Sequence, residues 1–214
     1  MIVYFTRHGE SVANVADRSM QAEPEDADRL SERGWEQARG LGRRLQGEGI
    51  EAILASPYGR AQETAQAIGE VLGLPYSTDE DLYEVRQSDA YRAASPNYKG
   101  TGHVSWMIDA PADHAEAGAE SFNGIVERVK RVQARLEARD GERLLCVSHW
   151  GFLHFFAGVS LFREDFSPRH LPALYRMSHI NTGITLFERR RDYRIEGIDF
   201  SGWALLTWND QAHL

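Results

Sequence analysis

Short apolar runs alternate with amphipathic helical patterns along the chain. Residues 2–5, 52–55 and 144–147 are continuous runs of apolar residues, which is the pattern of strands that are buried on both faces of a parallel sheet. A stretch with apolar residues at helical spacing separates the first run from the second, so these segments form a strand-helix-strand unit. The pattern predicts an α/β fold with a mostly parallel central sheet.

One helix is predicted before the second apolar run and another after it. The first begins after Ser31, a good N-cap residue, and ends before Gly47. The second has Ser56 as its predicted N-cap and Pro57 at its first helical position, which places Arg60 in its first turn. A guanidinium beside the free amides of a helix start is well placed to bind an anion. The alternative is a surface arginine in an ion pair.

Two further helices are predicted in the second half of the chain. Ser121 is predicted to cap a helix with one apolar face and one solvated, charged face. The helix that follows His149 carries aromatic residues at helical spacing, which we expect in the core. His154 and His170 are predicted to be structural or exposed residues.

The remaining β-like segments are short and lie outside the three main runs. Residues 74–77 predict an edge strand. Near the carboxyl end, residues 181–187 and 193–195 predict two strands separated by a charged turn at 188–192. The tail from Ser201 is expected to pack as a flap or to be loosely held.

Residues 85–120 lack the periodicity of the rest of the chain. They are rich in glycine, proline and alanine. They also contain large side chains that could contact a ligand: Tyr91, Tyr98, Lys99, His103, Trp106 and Met107. A long irregular segment inside a compact domain usually carries function. We therefore expect a single domain over residues 1–214, with 85–120 as a lid or specificity segment.

Composition and charge narrow the classes of function. The chain is 42% hydrophobic and carries a formal net charge of -8 with a pI near 5.5, which argues against nucleic acid and anionic membranes as partners. The single cysteine, Cys146, can form no intrachain disulfide and is expected to be a small buried hydrophobe. No apolar run reaches the length of a membrane span, and the amino terminus lacks a signal-peptide pattern, so we expect a cytoplasmic protein.

Three of the predicted strands end in groups that could bind phosphate. Arg7 and His8 follow the first run, Arg60 follows the second, and His149 follows the third. Because the carboxyl ends of parallel strands lie along one edge of a sheet, these residues can converge. An imidazole beside guanidinium groups is typical of a site where a nucleophile meets a phosphate. Asn14 is close enough in sequence to the His8 loop to belong to the same site. Each residue alone has a plainer explanation as a hydrogen-bonding residue.

These motifs together resemble the histidine phosphatase superfamily, also called the phosphoglycerate mutase-like family. The resemblance covers most of the chain, and the segments that carry it are 7–10 with Asn14, 30–34, 56–61, 148–149 and 181–183. It implies a three-layer α/β/α architecture. It also implies that His8 attacks phosphorus to form a phosphohistidine. Neither a cofactor nor a metal is implied, and no cluster of His, Cys and carboxylates has metal-ligand spacing.

The resemblance further implies roles for the residues around His8. Arg7, Arg60, His149 and Asn14 would hold the phosphoryl oxygens and neutralise charge in the transition state. Glu84 aligns with the family's proton donor, although it also lies in an acidic stretch where it could be one more surface acid. Trp150 replaces the glycine that commonly follows the second histidine, so it is expected in the substrate-binding set and at the mouth of the pocket.

Three functions are consistent with this set of residues. The favoured one is a metal-independent phosphomonoester hydrolase, of the histidine acid type, that acts on a small phosphorylated metabolite. The first alternative is a phosphoglycerate-type mutase, which in this family has a longer and more basic segment after the proton donor. The second alternative is a noncatalytic phosphate-binding or partner-binding module, which the intact residue set disfavours. The sequence indicates neither the substrate nor the oligomeric state.

Overall fold

A computed structural model describes residues 1–15, 28–90, 108–139 and 141–214. The strands are β1 (Ile2–Arg7), β2 (Ala52–Ala55), β3 (Tyr76–Thr78), β4 (Arg143–Ser148), β5 (Ile184–Arg190), β6 (Arg194–Ile195), β7 (Ile198–Asp199) and β8 (Gly202–Asp210). The α-helices are α1 (Val12–Val15), α2 (Glu32–Leu45), α3 (Gly59–Leu72), α4 (Phe122–Glu137), α5 (Trp150–Phe162) and α6 (Leu171–Leu174). Three 3-10 turns lie at Glu80–Leu82, Arg163–Asp165 and Pro168–His170.

The central sheet has six strands in the order β3-β2-β4-β1-β5-β8. The strands β3, β2, β4 and β1 are parallel to one another, whereas β5 runs antiparallel to both β1 and β8. The short strands β6 and β7 pair with each other as a separate hairpin. The predicted α/β fold with a mostly parallel sheet is confirmed.

Helices cover both faces of this sheet, which gives the three layers. Successive side chains of a strand point to opposite faces, and β1 follows this rule. Val3 and Phe5 pack with residues of α4 and α5 in one core cluster, while Tyr4 packs with residues of α2 and α3 in the other. Cys146 is fully buried within β4, and its burial raises the pKa of the thiol.

Two of the three predicted serine caps are present. Ser31 accepts a hydrogen bond from the amide of Gly34, and Ser121 caps α4 in the same way. The third prediction is wrong, because α3 begins at Gly59 and Tyr58 occupies its N-cap position. The hydroxyl of Ser56 instead lies 2.7 Å from Nε2 of a histidine at the end of β4. Arg60 still falls in the first turn of α3.

The carboxyl-terminal predictions were partly wrong. β5 continues through residues 188–190, where a turn was predicted, and the tail from Ser201 forms the edge strand β8. The structure stabilises these residues with Glu137, whose Oε1 accepts hydrogen bonds from Arg189 Nε at 2.7 Å and Trp203 Nε1 at 2.9 Å. Residues 188–190 are charged, yet they continue β5 because they pair with β8.

Of the predicted lid, residues 85–120, the structure describes the two ends, 85–90 and 108–120. Residues 91–107, which include the aromatic side chains considered as ligand contacts, lie outside the described residues, as do residues 16–27. In the described ranges, no helix has both the length and the apolar character that crossing a bilayer requires.

Candidate active site

The groups at the ends of β1 and β4 meet at the start of α3, at the carboxyl edge of the parallel strands. The rings of His8 and His149 are 5.2 Å apart between centroids. Arg60 lies against both rings and links them. The structure thus brings together three of the groups that were expected to converge.

His8 is buried and held in one tautomer. Its Nδ1 lies 2.7 Å from the carbonyl oxygen of Gly9, and its Nε2 accepts a hydrogen bond from Arg60 Nε at 3.1 Å. A guanidinium can only donate, so Nε2 carries the lone pair and Nδ1 carries the proton. Burial, together with the nearby charges of Arg60 and Arg7, holds the pKa of His8 well below its usual range. The ring is therefore neutral.

The loop after β1 fits closely against α2 and α3. The amide of Gly9 donates to Thr64 Oγ1 at 2.9 Å. A Cβ at position 9 would lie 2.6 Å from the carbonyl oxygen of Gly34, closer than such atoms approach. A glycine is therefore needed for the backbone to pass this point and present His8.

His149 is fully buried beside His8. Its Nδ1 lies 3.3 Å from Arg60 Nη2 and its Nε2 lies 2.7 Å from Ser56 Oγ. Since Arg60 donates to Nδ1, the proton of the neutral ring is on Nε2 and points to Ser56. Burial lowers the pKa of His149 strongly, and the nearby charge of Arg60 adds to this effect. Ser56 was missed as a site residue because it was assigned to a helix cap.

Arg60 forms an ion pair, which was the alternative interpretation of this residue, with a partner that the sequence did not indicate. Asp28 Oδ1 pairs with Nη1 of Arg60, and Asp28 Oδ2 accepts a hydrogen bond from the amide of Gly59 at 2.7 Å. The Arg60 guanidinium also lies 4.9 Å from the centre of the Tyr58 ring. Asp28 lies 32 positions from Arg60 in the sequence, so no local pattern could have identified it.

Arg7 and Glu84 lie on the other side of the site. Arg7 Nη1 donates to the carbonyl of His179 at 3.1 Å. Burial lowers the pKa of Arg7, and the nearby charge of Glu84 opposes that shift. The Glu84 carboxyl accepts hydrogen bonds from the amides of Val85, Gly151 and Phe152 at 2.8–3.1 Å. Two of these amides belong to the first turn of α5, where unpaired donors are available to an anion.

Asn14 is connected to the site through another asparagine. Asn181 Nδ2 donates to the carbonyl of His8 at 2.8 Å and to Asn14 Oδ1 at 3.3 Å. Asn14 also accepts from the amide of Ser11 at 3.2 Å, and its side chain is exposed. Asn181 is therefore the residue that ties Asn14 to the His8 loop.

A cavity of about 330 Å³ opens beside Arg7 and Glu84. Of the described residues, those that line it include Arg7, Glu84, Val85, Gln87, Trp150 and Tyr175. The Trp150 ring lies 4.5 Å from that of Tyr175 and 4.1 Å from that of His154. Within the part of the chain that the structure describes, no group of three or more His, Cys, Asp or Glu is placed to hold a metal ion.

The sequence matches a known family over almost its full length. The profile of the histidine phosphatase superfamily (branch 1) matches residues 3–210. A relative from Salmonella paratyphi B, named probable phosphoglycerate mutase GpmB, is 29% identical over 215 residues, which cover 99% of this chain and 94% of that protein.

Solved structures share the fold. The mycobacterial glucosyl-3-phosphoglycerate phosphatase, in a complex with VO3, is 25% identical with a TM-score of 0.75 and covers 98% of this chain and 99% of its own. The phosphoserine phosphatase of Entamoeba histolytica, in complex with 3-phosphoglyceric acid, has a TM-score of 0.73 at 19% identity and covers 99% of this chain and 98% of its own. The second likeness concerns the fold alone.

Proposed function

Since this chain belongs to branch 1 of the histidine phosphatase superfamily, we propose that it is a histidine acid-type phosphatase that hydrolyses small phosphate monoesters through a phosphohistidine. The observation that carries the proposal is the state of His8, a neutral imidazole of fixed tautomer beside Arg7 and Arg60. Likeness to a glucosyl-3-phosphoglycerate phosphatase also favours hydrolysis. In this proposal residues 1–214 form a single domain, and 85–120 act as its lid or specificity segment.

His8 is the nucleophile of the proposed first step. Its Nε2 lone pair attacks phosphorus, and the bond from phosphorus to the alcohol oxygen breaks. As the ring becomes positively charged, the Nδ1 hydrogen bond to the carbonyl of Gly9 stabilises it. Arg60 donates to the same Nε2 in the substrate-free site, so this hydrogen bond is exchanged for one to a phosphoryl oxygen when substrate binds.

The groups around His8 carry the charge that develops on the phosphoryl oxygens. Arg7 and Arg60 supply guanidinium donors. The carbonyl of His179 holds Arg7 in position, and Asp28 holds Arg60. Most of the catalysis of phosphoryl transfer comes from such preorganised positive charge. His149 accepts a hydrogen bond from Arg60 through Nδ1 and so helps to orient that guanidinium. Asn181 donates to the carbonyl of His8 and so helps to position the His8 loop.

Glu84 is the proposed proton carrier. In the first step its carboxylic acid protonates the departing alcohol oxygen, and in the second its carboxylate draws a proton from the water that attacks phosphohistidine. The position of Glu84 beside Arg7 and at the wall of the cavity supports this role. The backbone amides of Gly151 and Phe152 orient the carboxyl.

Phosphate release and trapping of the intermediate test the proposal. We expect the purified chain to release phosphate from phosphomonoesters in the presence of a strong metal chelator, and to acquire acid-labile, base-stable label from a labelled substrate. His8→Ala should abolish both signals with the fold intact. The control is His170→Ala, a histidine of the turn Pro168–His170 that lies outside the cavity, and this variant should retain both signals. Turnover by the folded His8→Ala variant would contradict the mechanism.

A mutase is the second candidate, because relatives of this chain are named probable phosphoglycerate mutase. In a mutase the phosphohistidine returns its phosphoryl group to a second hydroxyl of the bound substrate instead of to water. Incubation with 3-phosphoglycerate separates the two activities. A mutase would form the isomeric phosphoglycerate faster than free phosphate, whereas the hydrolase that we favour would not accumulate the isomer.

A further inference from the structure

The cavity beside Arg7 and Glu84 is where the alcohol part of a substrate would lie, given the proposed function. Arg7 belongs to the phosphate-holding set and also lines this cavity. Trp150 directly follows His149 and lines the same space. A phosphoryl group held against His8 would therefore direct its ester oxygen toward Glu84 and its alcohol toward Trp150.

One wall of the cavity is aromatic. Trp150 is partly exposed, and its ring packs against the rings of Tyr175 and His154. His154 is itself fixed, since Nδ1 lies 2.6 Å from the carbonyl of Trp150 and Nε2 lies 2.8 Å from the carbonyl of Met177. Burial also raises the pKa of Tyr175, so its hydroxyl stays neutral. The indole is thus a rigid, uncharged surface.

Among the described residues that line the cavity, Arg7 is the cation, and the phosphoryl group of the substrate uses it. Glu84 enters the proposed first step as a neutral carboxylic acid. A second anionic group on the alcohol would therefore lose water in this part of the structure without a cation of its own.

We infer that the site selects phosphate monoesters whose alcohol is uncharged and carries a planar aromatic ring that stacks on Trp150. The amide of Gln87 offers one hydrogen bond to a polar substituent of such a ring. The volume of about 330 Å³ lies at the lower end of the range for small-molecule sites, so it suits an alcohol of modest size. This inference rests on the proposed phosphatase activity.

The aromatic preference is tested with two esters that have similar leaving groups. Benzyl phosphate and cyclohexylmethyl phosphate are both esters of primary alcohols, and they differ in the planar ring. We expect kcat/KM to favour the benzyl ester by about two- to ten-fold, the effect of one aromatic contact. Trp150→Leu keeps apolar bulk and should bring this ratio close to one. Trp35→Leu, on α2 and outside the cavity, should leave the ratio unchanged.

The charge preference is tested with a second pair of esters. The 4-carbamoylbenzyl and 4-carboxybenzyl phosphates have nearly the same shape and differ by one negative charge. We expect the amide to be the better substrate by about ten-fold, because the carboxylate would leave water without a cation of its own among the described residues of the cavity. A faster reaction of the carboxylate would overturn the inference.

Failure of this inference is distinguishable from failure of the proposed function. If all four esters release phosphate with equal kcat/KM, or if Trp150→Leu leaves the benzyl preference unchanged, the aromatic subsite is wrong and the phosphatase stands. If neither these esters nor p-nitrophenyl phosphate releases phosphate, the phosphatase activity itself is wrong, and the substrate class is overturned with it.

Discussion

Glu84 is held almost entirely by backbone groups, and this decides how a substitution there will act. Its carboxyl accepts hydrogen bonds from the amides of Val85, Gly151 and Phe152. A Cβ at Gly151 would lie 2.6 Å from Glu84 Oε1, so this glycine allows the carboxyl to reach the helix start. A carboxamide at position 84 would place an N–H group against one of these donors, and it would have no transferable proton.

We therefore expect Glu84→Gln to slow hydrolysis by an amount that depends on the leaving group. Alkyl phosphates need a proton on the departing oxygen, so kcat/KM should fall by about 10²-fold or more. An activated aryl phosphate leaves without one, so its first step should be less affected. The measurement is kcat/KM for both esters with the variant and the unmodified chain, because kcat also includes the second step, which the two esters share. Equal losses on the two esters would mean that Glu84 only positions other groups.

At the scale of elements, a buried arginine of α4 holds the segment that presents Glu84. Arg128 is 1% exposed. Its Nη1 donates at 2.8 Å to the carbonyls of Asp81 and Tyr83, and its Nε and Nη2 donate to the Glu120 carboxylate at 2.8–2.9 Å. The helix was predicted correctly, but its charged residues were all assigned to a solvated face. Arg128 is the exception.

We expect Arg128→Met to lower the free energy of unfolding by about 3–5 kcal/mol, because the Glu120 carboxylate, whose side chain is 12% exposed, loses its cationic partner. Urea denaturation measures this loss. The double variant Arg128→Met with Glu120→Leu should be less destabilised than Arg128→Met alone. Arg131→Met is the matched control on the same helix. Its ion pair with Asp81 is exposed at the arginine, so its loss should be below about 1 kcal/mol. Equal effects of the two single variants would contradict the structural role of Arg128.

The sequence predicted the elements whose pattern is local and missed the contacts that join distant segments. The groups at strand ends, His8, Arg60 and His149, could be expected to converge because parallel strands share one carboxyl edge. Asp28 could not be assigned, since it follows no predicted strand and its partner lies 32 positions away. Ser56 directly follows β2 at the same carboxyl edge, but it was assigned to a helix cap. The edge strand β8 was missed because its burial is incomplete and comes from pairing with β5.

At the scale of the whole molecule, buried neutral histidines couple stability to pH. Burial lowers the pKa values of His8, His149, His154 and His179. The unfolded chain binds protons at these side chains below about pH 6.5, whereas the native chain does not. The unfolded state then holds more protons, so the free energy of unfolding must fall as the pH is lowered.

His179 gives the clearest test of this coupling, because burial lowers its pKa from 6.5 to about 3. Between about pH 7.5 and 5.5 its contribution to the free energy of unfolding should fall by roughly 1.4 kcal/mol. The loss continues down to about pH 3, where the native histidine is also protonated. Glutamine does not titrate and can still hydrogen-bond Thr185, the partner of His179 Nε2 at 2.9 Å. The difference between unfolding free energies at the two pH values should therefore be smaller in His179→Gln by about that amount. Urea denaturation of both proteins at both pH values measures it. An unchanged difference would show that His179 is not a source of the acid sensitivity, whatever the variant does to stability at neutral pH.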